Sequence, residues 1–68
     1  MNEKKLIKWL NDEIKRAKKD SKSWKKDLSK YALKDDYEMM FQSVDAINYN
    51  IACEDICSEL LEMIKEGD

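Results

Sequence analysis

The sequence contains no histidine and no proline, and its single glycine, Gly67, lies near the carboxyl end. Without histidine, the chain lacks the commonest general base, and without other glycines it has no Gly-rich loop to bind phosphate. Two cysteines are too few for a disulfide framework or a closed zinc site. We therefore expect no enzyme activity, no catalytic residue, no cofactor and no bound metal.

Long apolar runs are also absent, since no segment approaches the ~18 residues that span a bilayer. The opening residues, MNEKKLIKWLNDE, lack the apolar region and small-residue cleavage site of a signal peptide. We expect no membrane association and a cytoplasmic protein, in which cysteines stay reduced. Cys53 and Cys57 are four residues apart, on one face of a helix. Small buried hydrophobic residues explain them more simply than a redox pair or half a metal site.

Charged residues are abundant, at 41% of the chain. This proportion, with lysine, glutamate, leucine and isoleucine frequent and proline absent, is typical of long helices. A chain of 68 residues forms one domain, residues 1–68. Because so short a chain buries little surface, its stability must come from helix packing and oligomerisation.

The first half carries an apolar stripe with alternating spacings of three and four residues, the heptad pattern of a helix that packs against another. The pattern predicts a helix over about 3–33, with Asn2 as its N-cap. The alternative is a break near 20–23, because serines compete for backbone hydrogen bonds. The stripe consists of Ile7, Leu10, Ile14, Ala17, Ser21, Trp24, Leu28 and Tyr31.

A polar segment, 34–38, then interrupts the apolar pattern. Asp35 is a candidate N-cap, with Glu38 three residues later to reach back toward it. A second helix is expected over about 36–66. A connection of two to four residues makes consecutive helices antiparallel neighbours, so the predicted fold is an all-α helical hairpin.

The second helix is apolar on two nearly opposite faces, one around Val44 and one around Cys53. Either it bends near 48–50, or it stays straight, touches different neighbours along its length and lies inside a larger assembly. We expect a homodimer that completes a four-helix bundle, with a partly coiled-coil core. The candidate residues for packing and the dimer core are Trp9, Trp24, Met40, Phe41, Ile47, Ile51, Ile56 and Leu60.

Charge is divided between the halves: residues 1–34 carry twelve Lys/Arg and five Asp/Glu, and residues 35–68 carry one and ten. Folding at the turn brings the two halves together, which favours their pairing. We define a basic surface consisting of Lys15, Arg16, Lys18, Lys19, Lys22, Lys25 and Lys26. We define an acidic surface consisting of Asp45, Glu54, Asp55, Glu59 and Glu62.

In size and composition the chain resembles the small Lys/Glu-rich helical hairpins encoded by phages and mobile elements of low-GC bacteria. This resemblance implies an accessory protein or inhibitor that binds a host protein, and we expect protein–protein contact to be its function. Two alternatives remain. The basic surface could bind nucleic acid, with Trp24 stacking on bases. The acidic surface could instead mimic the phosphates of a nucleic acid.

Overall fold

Two long helices form the protein in a computed structural model that describes residues 2–67. Helix α1 spans Glu3–Leu33 and helix α2 spans Tyr37–Glu66. They pack side by side as an antiparallel hairpin, 51 Å long and about 15 Å wide between Cα atoms. The expected all-α hairpin is confirmed. Both helices are continuous, so the breaks considered near 20–23 and 48–50 do not occur.

Side-chain caps begin both helices. The Asn2 side chain accepts a hydrogen bond from the Lys5 amide at 2.9 Å, as predicted. At the second helix the prediction was wrong by one residue, because Asp36 is the N-cap and accepts from the Met39 amide at 3.2 Å. Asp35 has a different role, since its positive φ of 55° reverses the chain direction after α1.

The end of α1 is a Schellman motif. The amide of Asp36 donates to the carbonyl of Tyr31 at 3.0 Å, and the amide of Asp35 donates to the carbonyl of Ala32 at 3.2 Å. This motif places its residue of positive φ at Asp35, where glycine is more usual. The three residues between the helices therefore use their backbone amides to close α1 and one carboxylate to open α2.

Replacing Asp35 with glycine is expected to stabilise the hairpin by about 0.5–1 kcal/mol, because it relieves a left-handed conformation that costs an L-residue ~1 kcal/mol. The neighbouring change Asp36→Ala should lower stability by about 1 kcal/mol, since it removes the N-cap. Urea unfolding followed by circular dichroism measures both effects. Equal destabilisation by the two changes would contradict this account of the turn.

The α1 side of the interface is the stripe predicted from its heptads. All eight stripe residues are buried or half-buried, with Leu10 and Ala17 fully buried. The α2 side has the same three–four spacing but includes polar and small residues. It consists of Met40, Ser43, Ile47, Asn50, Glu54, Cys57, Leu61 and Ile64, all buried or half-buried.

The two stripes match in reverse order, so residue i of α1 lies at the height of residue 71 − i of α2. Leu10 thus shares a layer with Leu61, and Trp24 shares one with Ile47. At mid-length the layer is polar, with Ser21 opposite Asn50. The Ser21 hydroxyl is buried and has no hydrogen-bond partner among residues 2–67. A polar layer costs stability but favours one register of the two helices.

Candidate functional site

The polar α2 stripe leaves much of that helix's apolar surface on the outside. Val44 and Ile51 directly follow stripe residues and are exposed, as are Tyr37 and Phe41 one turn away. Phe41 is 69% exposed. We call this set, Tyr37, Phe41, Val44 and Ile51, the loop-end face, because it lies on the half of α2 nearest the turn.

A second exposed apolar set lies near the open end of the hairpin. It contains Trp9 from α1 and Ile56, Leu60 and Met63 from α2, and we call these four residues the open-end face. Trp9 is 50% exposed and Met63 is 63% exposed. A shallow hollow of about 270 Å³ beside Trp9 is lined by Lys5, Lys8 and Asp12.

The two faces lie on opposite sides of the interface between the helices. An ion pair joins Lys18 to Glu54 at 3.7 Å and so marks the side that also carries the loop-end face. On the other side, Arg16 of α1 is close enough to Cys53 for the charge of Cys53 to raise the pKa of Arg16. Trp9 is one heptad before Arg16, and Leu60 is one heptad after Cys53. The open-end face therefore lies on this second side.

The candidate core residues divide between the interior and these faces. Ile47 is buried, and Trp24 and Met40 are half-buried. The other five candidates, Trp9, Phe41, Ile51, Ile56 and Leu60, are outside the contact between α1 and α2. Their place in a dimer core stays a prediction. Within one chain neither helix is enclosed by the other, so α2 is an inner element only in an assembly.

The basic surface is exposed at all seven positions. Arg16 has the most contacts, donating to Glu13 at 3.0 Å and to Asp20 at 3.1 Å. The hydrogen bond to Glu13 is the main cause that raises the pKa of Arg16, so this side chain stays charged. Lys18 reaches across to Glu54. Among the described residues this is the ion pair that joins the helices, so the opposite charges of the two halves make few direct contacts.

The acidic surface is less uniform. Asp45, Asp55, Glu59 and Glu62 are exposed, whereas Glu54 lies on the α2 stripe and is half-buried. Glu54 thus contributes to the contact between the helices as well as to the surface charge. Within residues 2–67 no three His, Cys, Asp or Glu side chains cluster closely enough to hold a metal ion.

Both cysteines are free thiols, Cys57 buried and Cys53 half-buried. Burial raises the pKa of the Cys57 thiol, with smaller contributions from the neighbouring charges of Cys53 and Glu13 and an opposing one from Arg16. A raised pKa reduces the fraction of thiolate, the reactive form. Cys57 is therefore an inert core residue in the folded chain.

We expect Cys57 to react with an alkylating reagent at least about tenfold more slowly than Cys53. The measurement uses two single-cysteine variants, Cys53→Ala and Cys57→Ala, at pH 8 with and without urea. The rates should become equal in urea, where burial is lost. Equal rates in the folded variants would show that Cys57 is accessible.

No helix among residues 2–67 is long and apolar enough to cross a membrane. Comparison with protein-family models, curated proteins and solved structures finds no match for this chain.

Proposed function

We propose that this chain is a non-catalytic protein that binds another protein through the loop-end face. The observation that carries the proposal is the placement of Phe41, Val44 and Ile51 outside the hairpin. These residues contribute little to the fold, because Ser43 and Asn50 occupy the neighbouring stripe positions. A contiguous exposed apolar surface on a small protein is typical of a protein-binding site.

The charges beside this face indicate the chemistry of the partner. Lys18 and Lys25 directly follow stripe residues of α1, as Val44 and Ile51 do in α2, so they border the loop-end face on its α1 side. Lys22 lies one turn from them, and all three lysines are exposed. A matching partner presents an apolar centre bordered by carboxylates on one edge. Complementary charge at the rim speeds association and selects the partner.

An accessory or inhibitory role in the cytoplasm, with a host protein as the partner, fits this arrangement and the resemblance to small phage-encoded hairpins. Binding needs no catalytic group, since a rigid helical face can occupy a groove or edge of another protein. The rigidity comes from the continuous α2 helix, which presents all four apolar side chains from one element.

The test uses the purified chain to capture proteins from the cells in which it is made, alongside two variants. Phe41→Ser with Ile51→Ser removes the apolar part of the loop-end face. Trp9→Ser with Met63→Ser is the matched control on the opposite side. A partner that binds directly should be retained by wild type and control and weakened about a hundredfold by the loop-end variant.

Two further measurements test whether the loss of binding comes from the loop-end face itself. Circular dichroism must show that both variants stay helical, and affinity for the purified partner should fall as salt rises, because the lysine rim contributes. If every captured protein binds the loop-end variant as well as wild type, the proposal is wrong.

Nucleic-acid binding is the second candidate, and the exposure of the whole basic surface favours it. Of its seven residues, Arg16 and Lys18 form ion pairs with carboxylates among the described residues. The remaining lysines project along α1, where they could neutralise phosphates. The opposing feature is Trp24, which is half-buried against α2 and so poorly placed to stack on a base.

A further inference from the structure

The open-end face differs from the loop-end face in that both helices contribute to it. Trp9 comes from α1, and Ile56, Leu60 and Met63 come from α2. The face therefore extends across the groove between the helices, whereas the loop-end face is confined to one helix. A surface of this kind can pack against two further helices at once, as each half of a four-helix bundle does.

Opposite charges border this face on its two edges. On the α1 edge lies Lys5, and on the α2 edge lie Glu59 and Glu66. Lys5 and Glu66 are at the same height along the hairpin. Asp12 follows one heptad later, at the height of Glu59, and its charge is balanced by Lys8, which pairs with it at 3.6 Å. A uniformly acidic partner, such as a nucleic acid, would be attracted by one edge and repelled by the other.

We propose that the open-end face binds a second copy of this chain, with a two-fold axis parallel to the helices. This rotation puts α1 of each copy against α2 of the other and keeps both open ends together. The face then meets itself, and Lys5 of each copy meets Glu66 of the other. Such a contact is isologous and closes at two subunits.

The hollow beside Trp9 gives the contact a specific fit. Met63 of the second copy lies at the height of Lys8, which lines this hollow. Met63 is among the most exposed apolar side chains of α2, and its flexible thioether adapts to an irregular pocket.

The opposite side of the hairpin does not suit a second copy. There, the same rotation would place the loop-end face of α2 against Lys18, Lys22 and Lys25 of the other α1. An end-to-end rotation would instead bring the lysines of the two α1 helices together. The first arrangement buries lysines against apolar side chains, and the second brings like charges together, so both cost affinity. The loop-end face thus stays available to a different protein while the dimer is formed.

The first test measures molecular mass by sedimentation equilibrium from low to high micromolar concentration. Wild type should sediment at twice the 8.1 kDa of one chain. Trp9→Ser with Met63→Ser should weaken dimerisation at least about a hundredfold, because it removes the apolar centre. Phe41→Ser with Ile51→Ser, on the other side, should change it by less than about twofold.

The second test reverses the charges on the edges. Lys5→Glu and Glu66→Lys should each weaken the dimer about fivefold, and the chain with both changes should recover wild-type affinity. Neither reversal harms the helices, since an acid near the start of α1 and a base near the end of α2 suit the helix dipoles. Recovery of dimer affinity in the double variant therefore reports on the contact between the two copies and not on helix stability.

Wild type that remains an 8.1 kDa monomer at high micromolar concentration would overturn the proposal. A dimer that is unaffected by the Trp9 and Met63 changes, or single reversals that leave affinity unaltered, would equally contradict it. Since these variants leave the loop-end face intact, failure here does not bear on the binding of another protein by that face.

Discussion

Leu10→Ala is expected to lower the free energy of unfolding by about 2–5 kcal/mol, the usual loss for a fully buried leucine. Leu10 is 0% exposed and shares a layer with Leu61 near the open end. Stable domains have only about 5–15 kcal/mol in total, and a two-helix hairpin is at the low end of that range. The variant should therefore keep only a small part of its stability and unfold at much less urea than wild type.

The matched control is Leu33→Ala, at a leucine that is 88% exposed near the turn. It should alter stability by less than about 0.5 kcal/mol. Urea titrations of the two variants, followed by the helical signal, make the comparison. If Leu10→Ala unfolds at the same urea concentration as Leu33→Ala, the packing of the two helices differs from this structure.

Trp24→Ala is expected to cost about 2–3 kcal/mol, less than the 3–5 kcal/mol of a fully buried aromatic, because Trp24 keeps part of its surface exposed. It lies in the layer of Ile47, next to the polar layer of Ser21 and Asn50. The loss should appear as a lower melting temperature. It should also reduce binding of any partner only in proportion to the unfolded fraction.

Four lysines on the same stretch supply the contrast. Changing Lys18, Lys19, Lys25 and Lys26 to glutamine should alter stability by less than about 0.5 kcal/mol for each substitution, since all four are exposed. If the basic surface instead binds nucleic acid, this variant should lose affinity for DNA and RNA equally across sequences. The slope of its salt dependence should also fall by about four.

Thermal melts and salt titrations with DNA and RNA separate these two roles. We expect Trp24→Ala to melt earlier and the four-lysine variant to melt like wild type. A Trp24→Ala protein that melts like wild type but no longer binds nucleic acid would show that the basic stretch is a nucleic-acid site. The loop-end face would then need a separate explanation.

The sequence predicts α1 well because its apolar residues repeat along the helix with heptad spacing. From Ile7 to Tyr31 the apolar residues keep a single heptad phase through Ser21, and the structure buries that face. The same spacing exists in α2 but is not visible from hydrophobicity. Ser43, Asn50 and Glu54 occupy stripe positions, whereas Val44 and Ile51 lie outside. Counting apolar residues alone therefore gave two faces, around Val44 and Cys53, and neither is centred on the side of α2 that packs against α1.

The register of the hairpin identifies the α2 residues that face α1, which the hydrophobic pattern of α2 does not. A turn centred on residue 35 pairs residue i with about 70 − i, and the buried positions of the two helices fix the sum at 71. That rule selects Asn50 for Ser21 and Cys57 for Ile14 without reference to polarity. The turn was predicted to within one residue from Asp35 and Asp36, although which of them caps α2 depends on backbone geometry that composition does not reveal.

By itself, the sequence determined the class of the fold, two helices joined by a short turn, because helix formation depends on local composition, caps and periodicity. Only the tertiary structure decided which side of α2 faces α1, and hence which apolar residues remain for binding. Because the turn is short and the α1 stripe is continuous, the side of α2 that packs against α1 consists of the residues in register with that stripe, including Asn50 and Ser43. Exposed apolar faces at Phe41 and Trp9 follow from that constraint, which acts between helices and not within either one.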